Sequence, residues 1–166
     1  MDVYWDACTF LDILIDEGRP NRPGALDVYA AARAGQVGIV TSTATVTEVQ
    51  YVTGAYWREL VAAGEELTAE QYAEAEPVIA ELWTPASPVR RVDVSDAIGR
   101  RAAQLSRWAT FEHQSKLTPI DAIHIATAER EGVPLHTGDR YRWVGEHLGL
   151  DIGPPKWAEP QLFNDQ

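Results

Sequence analysis

Apolar positions along the chain follow two rhythms that take turns. Short β-prone runs bounded by polar or glycine and proline breaks predict strands at Val3-Tyr4-Trp5, in "QVGIVTS" (36–42), in "VRRVDV" (89–94) and in "VPLHT" (133–137). Between them the spacing turns helical. "CTFLDILIDEG" (8–18) sets Phe10, Leu11, Leu14 and Ile15 on one side, and "ALDVYAAARAG" (25–35) ends at Gly35. The intervening "RPNRPG" reads as a turn-rich loop. "TATVTEVQYVTGAYWRELVAAG" (43–64) predicts a long helix with a bend at Gly54, and "TAEQYAEAEPVIAELW" (68–83) a helix kinked at Pro77. "SDAIGRRAAQLSRWATFEHQ" (95–114) begins at a Ser95 cap, and "TPIDAIHIATAE" (118–129) continues to Gly132. "GDRYRWVGEHLG" (138–149) gives a loop and a short helix, and the tail 150–166 holds at most one short edge strand.

Strands alternating with helices predict an α/β fold with a parallel sheet covered on both faces. A length of 166 residues, without internal repeats or a low-complexity linker, predicts one domain spanning 1–166. With 45% hydrophobic residues the chain can bury a substantial core. No apolar run reaches the roughly 18 residues of a membrane span, and "MDVYWDACTF" lacks the basic start of a secretory signal. One cysteine, Cys8, excludes an internal disulfide and cysteine-rich zinc sites. Together these predict a cytoplasmic protein without membrane contact.

Charge changes the picture. Fourteen Lys and Arg against twenty-five Asp and Glu leave −11, so the overall field repels nucleic acid. Handling nucleic acid would require a local reversal of sign by bound metal ions or arginines. The same acidity attracts a basic protein partner.

In parallel sheets, sites form outside the carboxyl ends of the strands. Asp6 follows the first predicted strand, Glu48 lies just inside the helix after the second, and Asp139 follows the fourth. Asp121 begins the helix leading into that fourth strand. Each has a structural explanation. Asp6 suits a helix N-cap, Glu48 a capping box with Thr45, and Asp139 a turn after Gly138. Asp121 falls three residues after Thr118 with Pro119 between, which is capping-box spacing. Capping, however, does not require four acids to converge on one crevice. Hard divalent cations do, because Mg²⁺ takes carboxylate and water oxygens together with substrate phosphate.

The stretches "YWDACTFLDIL", "TVTEV", "TPIDAIHIATA" and "LHTGDRYRW" resemble, in this order, the PIN-domain family, and most closely its VapC-type toxins of bacterial toxin–antitoxin pairs. The resemblance implies a three-layer α/β/α sandwich with a central parallel sheet. It implies a Mg²⁺- or Mn²⁺-dependent endoribonuclease, the toxin of a type II pair, that hydrolyses RNA with metal-activated water. The implied catalytic metal ligands are Asp6, Glu48, Asp121 and Asp139, with Thr137 orienting the last acid or a water. A small antitoxin with a basic segment and a homodimer are the implied protein partners. Cys8 departs from the family, which often has Ser or Asn at this position; Thr9 could partly take over that role. Arg140 and Arg142 flank Asp139 and are candidates for RNA phosphate contact.

Other residues carry less. His124 shares a helix face with Asp121 and is expected to be structural or on the rim of the site, while His113 and His136 lack partners at ligand spacing. Cys8 reads as a small buried residue rather than a nucleophile. Trp5, Trp57, Trp83, Trp108, Trp143 and Trp157 are expected mainly in core or interface packing, and the pairs Arg90-Arg91 and Arg100-Arg101 on solvated faces. A response-regulator receiver would need a lysine after a core strand, a haloacid-dehalogenase phosphatase would need D-x-D where Asp6-Ala7-Cys8 stands, and a P-loop NTPase would need G-x-x-x-x-G-K. The remaining alternative is a catalytically silent PIN-like module acting through protein contacts.

Overall fold

The computed structural model describes residues 1–14, 18–63, 80 and 82–156. Most of the helix expected over 68–83, with Pro77, and the tail beyond 156, with Trp157, lie outside the described residues. The elements are β1 (Asp2–Trp5), α1 (Ala7–Leu14), α2 (Arg22–Arg33), β2 (Gly38–Ser42), α3 (Thr43–Ala62), β3 (Val89–Val92), α4 (Asp96–Glu112), α5 (Pro119–Glu131), β4 (Leu135–His136), α6 (Arg142–Leu148) and β5 (Ile152–Gly153).

The five strands form one sheet in the order β3-β2-β1-β4-β5, and every pairing is parallel. The central strand shows why the fold has three layers. Its side chains alternate, as strand geometry requires. Val3 and Trp5 join Ile39 in a core with Phe10 and Leu11 of α1, Ala25 and Val28 of α2, and Val49 of α3. Tyr4 and Val40 point the other way, into a second core with Ile98 and Leu105 of α4, Ala122 and Ile125 of α5, and Leu135. Fully burying a side chain such as Phe10 or Ile39 contributes about 1.5–3 kcal/mol. The expected α/β/α sandwich is therefore the observed one. Among the described residues, no helix is long and apolar enough to cross a membrane.

Element ends differ from expectation where backbone chemistry intervenes. α2 begins at Arg22, inside the expected loop, because Pro23 in its first turn needs no N–H partner there. β4 shrinks to two residues: the preceding Pro134 has no donor for the ladder, though its carbonyl accepts Tyr4 N–H at 2.7 Å. β3 stops at Val92 as the chain turns toward Ser95, whose hydroxyl caps α4 by accepting Ile98 N–H at 3.4 Å.

One buried group on β4 ties stability to pH. His136 is 7% exposed, and its Nδ1 has no hydrogen-bond partner among the described residues. Burial holds it neutral, lowering its pKa from 6.5 to about 4, against the pull of Asp151 and with a small push from Lys156. Between those values the unfolded chain binds the proton and the native chain does not. Stability present above pH 6.5 is thus lost as pH falls toward 4, by about 3 kcal/mol at most. His136→Leu is expected to remove this contribution, seen as a flatter melting-temperature profile than the parent's between pH 7 and 4.

Candidate functional site

The strand order reverses direction between β1 and β4, so a crevice opens beyond their carboxyl ends. Asp6 sits at that point as the N-cap of α1. Its Oδ1 accepts Thr9 N–H at 3.0 Å and the Thr9 hydroxyl at 3.1 Å. Burial raises its pKa from 3.8 to about 6, although His124, Thr137 and Thr9 all favour the carboxylate. A carboxylate held this deep lacks solvation that a cation would supply.

Asp139 reaches the same point from β4. The Thr137 hydroxyl accepts Asp139 N–H at 3.0 Å and lies near enough to Asp6 to favour its charged form, so it serves both acids. Gly138 lets this turn lie close to Asn21, the residue that precedes α2, and in ordinary contact with Cys8 of α1. A Cβ there would stand 3.2 Å from Asn21 Nδ2 and 3.9 Å from Cys8 Cβ. The Cys8 thiol donates to Asp139 Oδ2 at 3.5 Å. Donor atoms of Asp6, Cys8 and Asp139 all lie within 4.8 Å of one another. Ligand atoms about 2.0–2.3 Å from one ion span at most about 4.6 Å, so a small closing movement would let these three residues share a single divalent cation. Cys8 is only half-buried. Burial, then Asp6, Asp139 and Glu48, push its pKa up, which is the opposite of an activated nucleophile.

Glu48 does not form a capping box with Thr45. Ser42 is the cap of α3: its hydroxyl accepts Thr45 N–H at 3.3 Å. Thr45 instead bonds Thr41, whose hydroxyl donates to Trp5 O at 2.7 Å, which ties the start of α3 to β1. The Glu48 carboxylate is thereby free to bond His124 Nε2 at 2.9 Å. His124 Nδ1 bonds the Tyr4 hydroxyl at 3.0 Å, and that oxygen accepts Ser42 N–H at 3.1 Å. When neutral, the ring accepts from Tyr4 and donates to Glu48; when charged, it donates to both. Burial opposes the charge, but Tyr4, Glu48 and Asp6 outweigh it and raise the pKa. The buried histidine expected to be structural or on the rim thus holds one acid and faces another. His124→Leu is expected to cost about 1–3 kcal/mol of stability, read as a lower melting temperature, since it leaves the Tyr4 hydroxyl and the Glu48 carboxylate without their shared buried partner.

Asp121 forms the expected capping box with Thr118, whose hydroxyl accepts Asp121 N–H at 3.3 Å while Asp121 Oδ2 accepts Thr118 N–H at 3.2 Å. The Thr118 hydroxyl and the Tyr141 hydroxyl (2.7 Å) also bond Asp121 Oδ2. Every hydrogen bond the described residues donate to the Asp121 carboxylate falls on Oδ2, so Oδ1 accepts none of them. Tyr141 was not singled out in the sequence. Its pKa is raised by burial, then by Asp121 and Asp139, so it stands between those two acids as a neutral donor.

The structure therefore brings Asp6 and Asp139 into direct proximity around Cys8 and ties Glu48 and Asp121 to the same crevice through His124 and Tyr141. Arg142 pairs with Glu146 at 3.4 Å on an exposed face. Arg140 is exposed and has no ion pair among the described residues. Arg90 and Arg101 are engaged by Glu131 and Glu129. The described tryptophan side chains pack within the subunit: Trp5 and Trp83 with Phe10, and Trp108 with Trp143, His113 and His147.

The sequence matches the PIN domain over residues 3–141. The chain belongs to the PIN domain family. Solved structures share the fold of this PIN domain at low identity. FitAcB from Neisseria gonorrhoeae is 15% identical with a TM-score of 0.64, over 93% of this chain and 98% of that one. The sarcin–ricin-loop-cleaving toxin VapC20 of Mycobacterium tuberculosis is 15% identical with a TM-score of 0.56, over 86% of this chain and 95% of that one. A toxin–antitoxin complex from Klebsiella pneumoniae gives 18% identity and a TM-score of 0.56, over 94% of this chain and 99% of that one. No curated protein matches the sequence.

Proposed function

We propose that this PIN domain is a Mg²⁺- or Mn²⁺-dependent endoribonuclease, the toxin of a type II toxin–antitoxin pair, acting in the cytoplasm. The observation that carries this reading is the close approach of Asp6 and Asp139 at the sheet's switch point, in a chain of this family. Asp6, Asp139, Glu48 and Asp121 would hold the cation. Once bound, it would lower the pKa of a water and draw charge from the scissile phosphate.

The remaining steps belong to the chain's own side chains. Thr137 orients Asp139 and favours the charged form of Asp6. Thr9 holds the Asp6 carboxylate in place, the part expected of it beside Cys8. His124 fixes Glu48, and Tyr141 fixes Asp121. Arg140, exposed and beside Asp139, would bind a flanking RNA phosphate, and Arg142 would do so only by giving up Glu146. With the cation, Arg140 answers locally for a net charge of −11.

The partner reading rests on the toxin–antitoxin complexes among the structural neighbours and on charge. The acidic surface suits a small antitoxin with a basic segment able to place a cation among the acids. For a homodimer, support passes from the tryptophans to the exposed apolar side chains Tyr51 and Phe111. The deciding experiment is RNA cleavage by purified protein with Mg²⁺ or Mn²⁺ and with chelator. Cleavage that requires metal supports the enzyme. Metal-independent absence of cleavage, with a complex formed on co-expression with the neighbouring gene, would favour the silent binding module.

A further inference from the structure

Cys8 lies where the crevice acids converge, and its sulfur is the one donor there that is not oxygen. Its Sγ belongs to the group with Asp6 and Asp139 whose donor atoms all lie within 4.8 Å of one another. The Sγ to Asp139 Oδ2 distance is 3.5 Å. Two neighbouring ligands on one tetrahedral Zn²⁺, at about 2.3 Å for sulfur and 2.0–2.2 Å for oxygen, are themselves roughly 3.5 Å apart. The S–H···O hydrogen bond between Cys8 and Asp139 thus already sets the two atoms at a separation that two ligands of one ion can keep. Two local features hold it. The Arg19 guanidinium donates to Cys8 O at 3.3 Å and to Asp12 Oδ1 at 3.0 Å, anchoring the cysteine's backbone. Thr9 fixes Asp6 through its N–H and its hydroxyl.

We infer that Cys8 is a sulfur ligand of the metal site, and that this site prefers thiophilic divalent cations such as Zn²⁺ and Cd²⁺ over Mg²⁺. The inference rests on the metal centre proposed above and adds a donor that the four acids do not supply. Mg²⁺ demands oxygen ligands at 2.0–2.1 Å and keeps its waters, so the sulfur offers it no bond and occupies space a water would use. Soft thiolate donors select the opposite way. As the metal–sulfur bond forms, the thiol proton leaves to solvent.

The full-length protein is titrated with Cd²⁺ and, separately, with Mg²⁺, followed by calorimetry and ultraviolet absorption. Cys8 is the sole cysteine, so a sulfur-to-cadmium charge-transfer band can only come from it. The parent is expected to show that band at one equivalent. Cys8→Ser should lose the band, bind Cd²⁺ at least tenfold more weakly, and bind Mg²⁺ as tightly as the parent or tighter. Cys8→Ala, checked for native circular dichroism, should lose the band as well. Cd²⁺ binding without a band, or a Cys8→Ser protein with unchanged Cd²⁺ affinity, overturns the sulfur ligand. Mg²⁺- or Mn²⁺-dependent RNA cleavage alongside that result would leave the nuclease reading standing. The band present with no RNA cleavage in any metal would do the reverse. Failure of every cation to bind would remove both.

Discussion

Asp6→Asn is expected to lower metal-dependent RNA cleavage by at least three orders of magnitude while the protein stays folded. Asparagine caps a helix about as well as aspartate, and its amide oxygen can keep both bonds from Thr9. What it cannot keep is the charge proposed to hold the cation. A thousandfold loss corresponds to about 4 kcal/mol of transition-state stabilisation. The free protein should respond the other way. Burial raises the Asp6 pKa from 3.8 to about 6, so the native state binds a proton that the unfolded chain has lost in that window. Stability therefore falls as pH rises through the window, and the full penalty applies above pH 6. The asparagine variant escapes it and should be at least as stable as the metal-free parent at neutral pH. A cation at 100 times its dissociation constant adds about 2.7 kcal/mol to the parent, and this gain should shrink in the variant. Cleavage assays and thermal melts with and without Mn²⁺ read all three effects. Parental cleavage by the variant would leave Asp6 as a helix cap and nothing more.

Much of the fold could be read in the chain because β1 carries its own three-layer argument. Val3 and Trp5 are apolar for one core and Tyr4 for the other. The helix caps were also local, since Ser95 and Thr118 bond groups three residues away. Strand order was not legible, because β-neighbours are chosen by which helices cover which face, and nothing in "VPLHT" says it will lie beside β1. The two-residue length of β4 follows from Pro134 and from partners far along the chain.

The site divides in the same way. Asp6 and Asp139 stand out because they follow strand ends, and Glu48 and Asp121 because they lie in the first turns of helices that meet the same edge. The groups that aim them do not. His124 reaches Glu48 across 76 positions and Tyr4 across 120. A tyrosine inside a strand reads as core, and Tyr4 is core; only its hydroxyl serves the site. For His124 the one local signal was its place three residues after Asp121 on the same helix face. Tyr141 had a comparable signal, two residues after Asp139. Arg142, read as a phosphate contact, pairs instead with Glu146 one helical turn on, and that i,i+4 spacing is a local signal that the phosphate reading passes over.

Asp121 is both a cap and a proposed ligand, and two substitutions separate the roles. Thr118→Ala removes the hydroxyl that caps α5 and leaves the Asp121 charge. It is expected to cost about 1 kcal/mol of stability, the usual value of an N-cap side chain. Cleavage should fall by tenfold at most, since Tyr141 still donates to Asp121 Oδ2 at 2.7 Å. Asp121→Asn does the converse. Its amide oxygen can still accept Thr118 N–H and the Tyr141 hydroxyl, so the box survives with only its charge removed. Losing a charge in the first helical turn costs roughly 0.3–1 kcal/mol. Relief of repulsion from the other acids around the crevice offsets part of that. Cleavage, however, should drop by orders of magnitude, with a smaller metal-induced rise in melting temperature. The crossed pattern, with stability lost in one variant and activity in the other, is the result a metal ligand built on a helix cap must give. If Asp121→Asn cuts RNA at the parental rate, the carboxylate serves α5 alone, and the cation is held by Asp6, Asp139 and Glu48 without it.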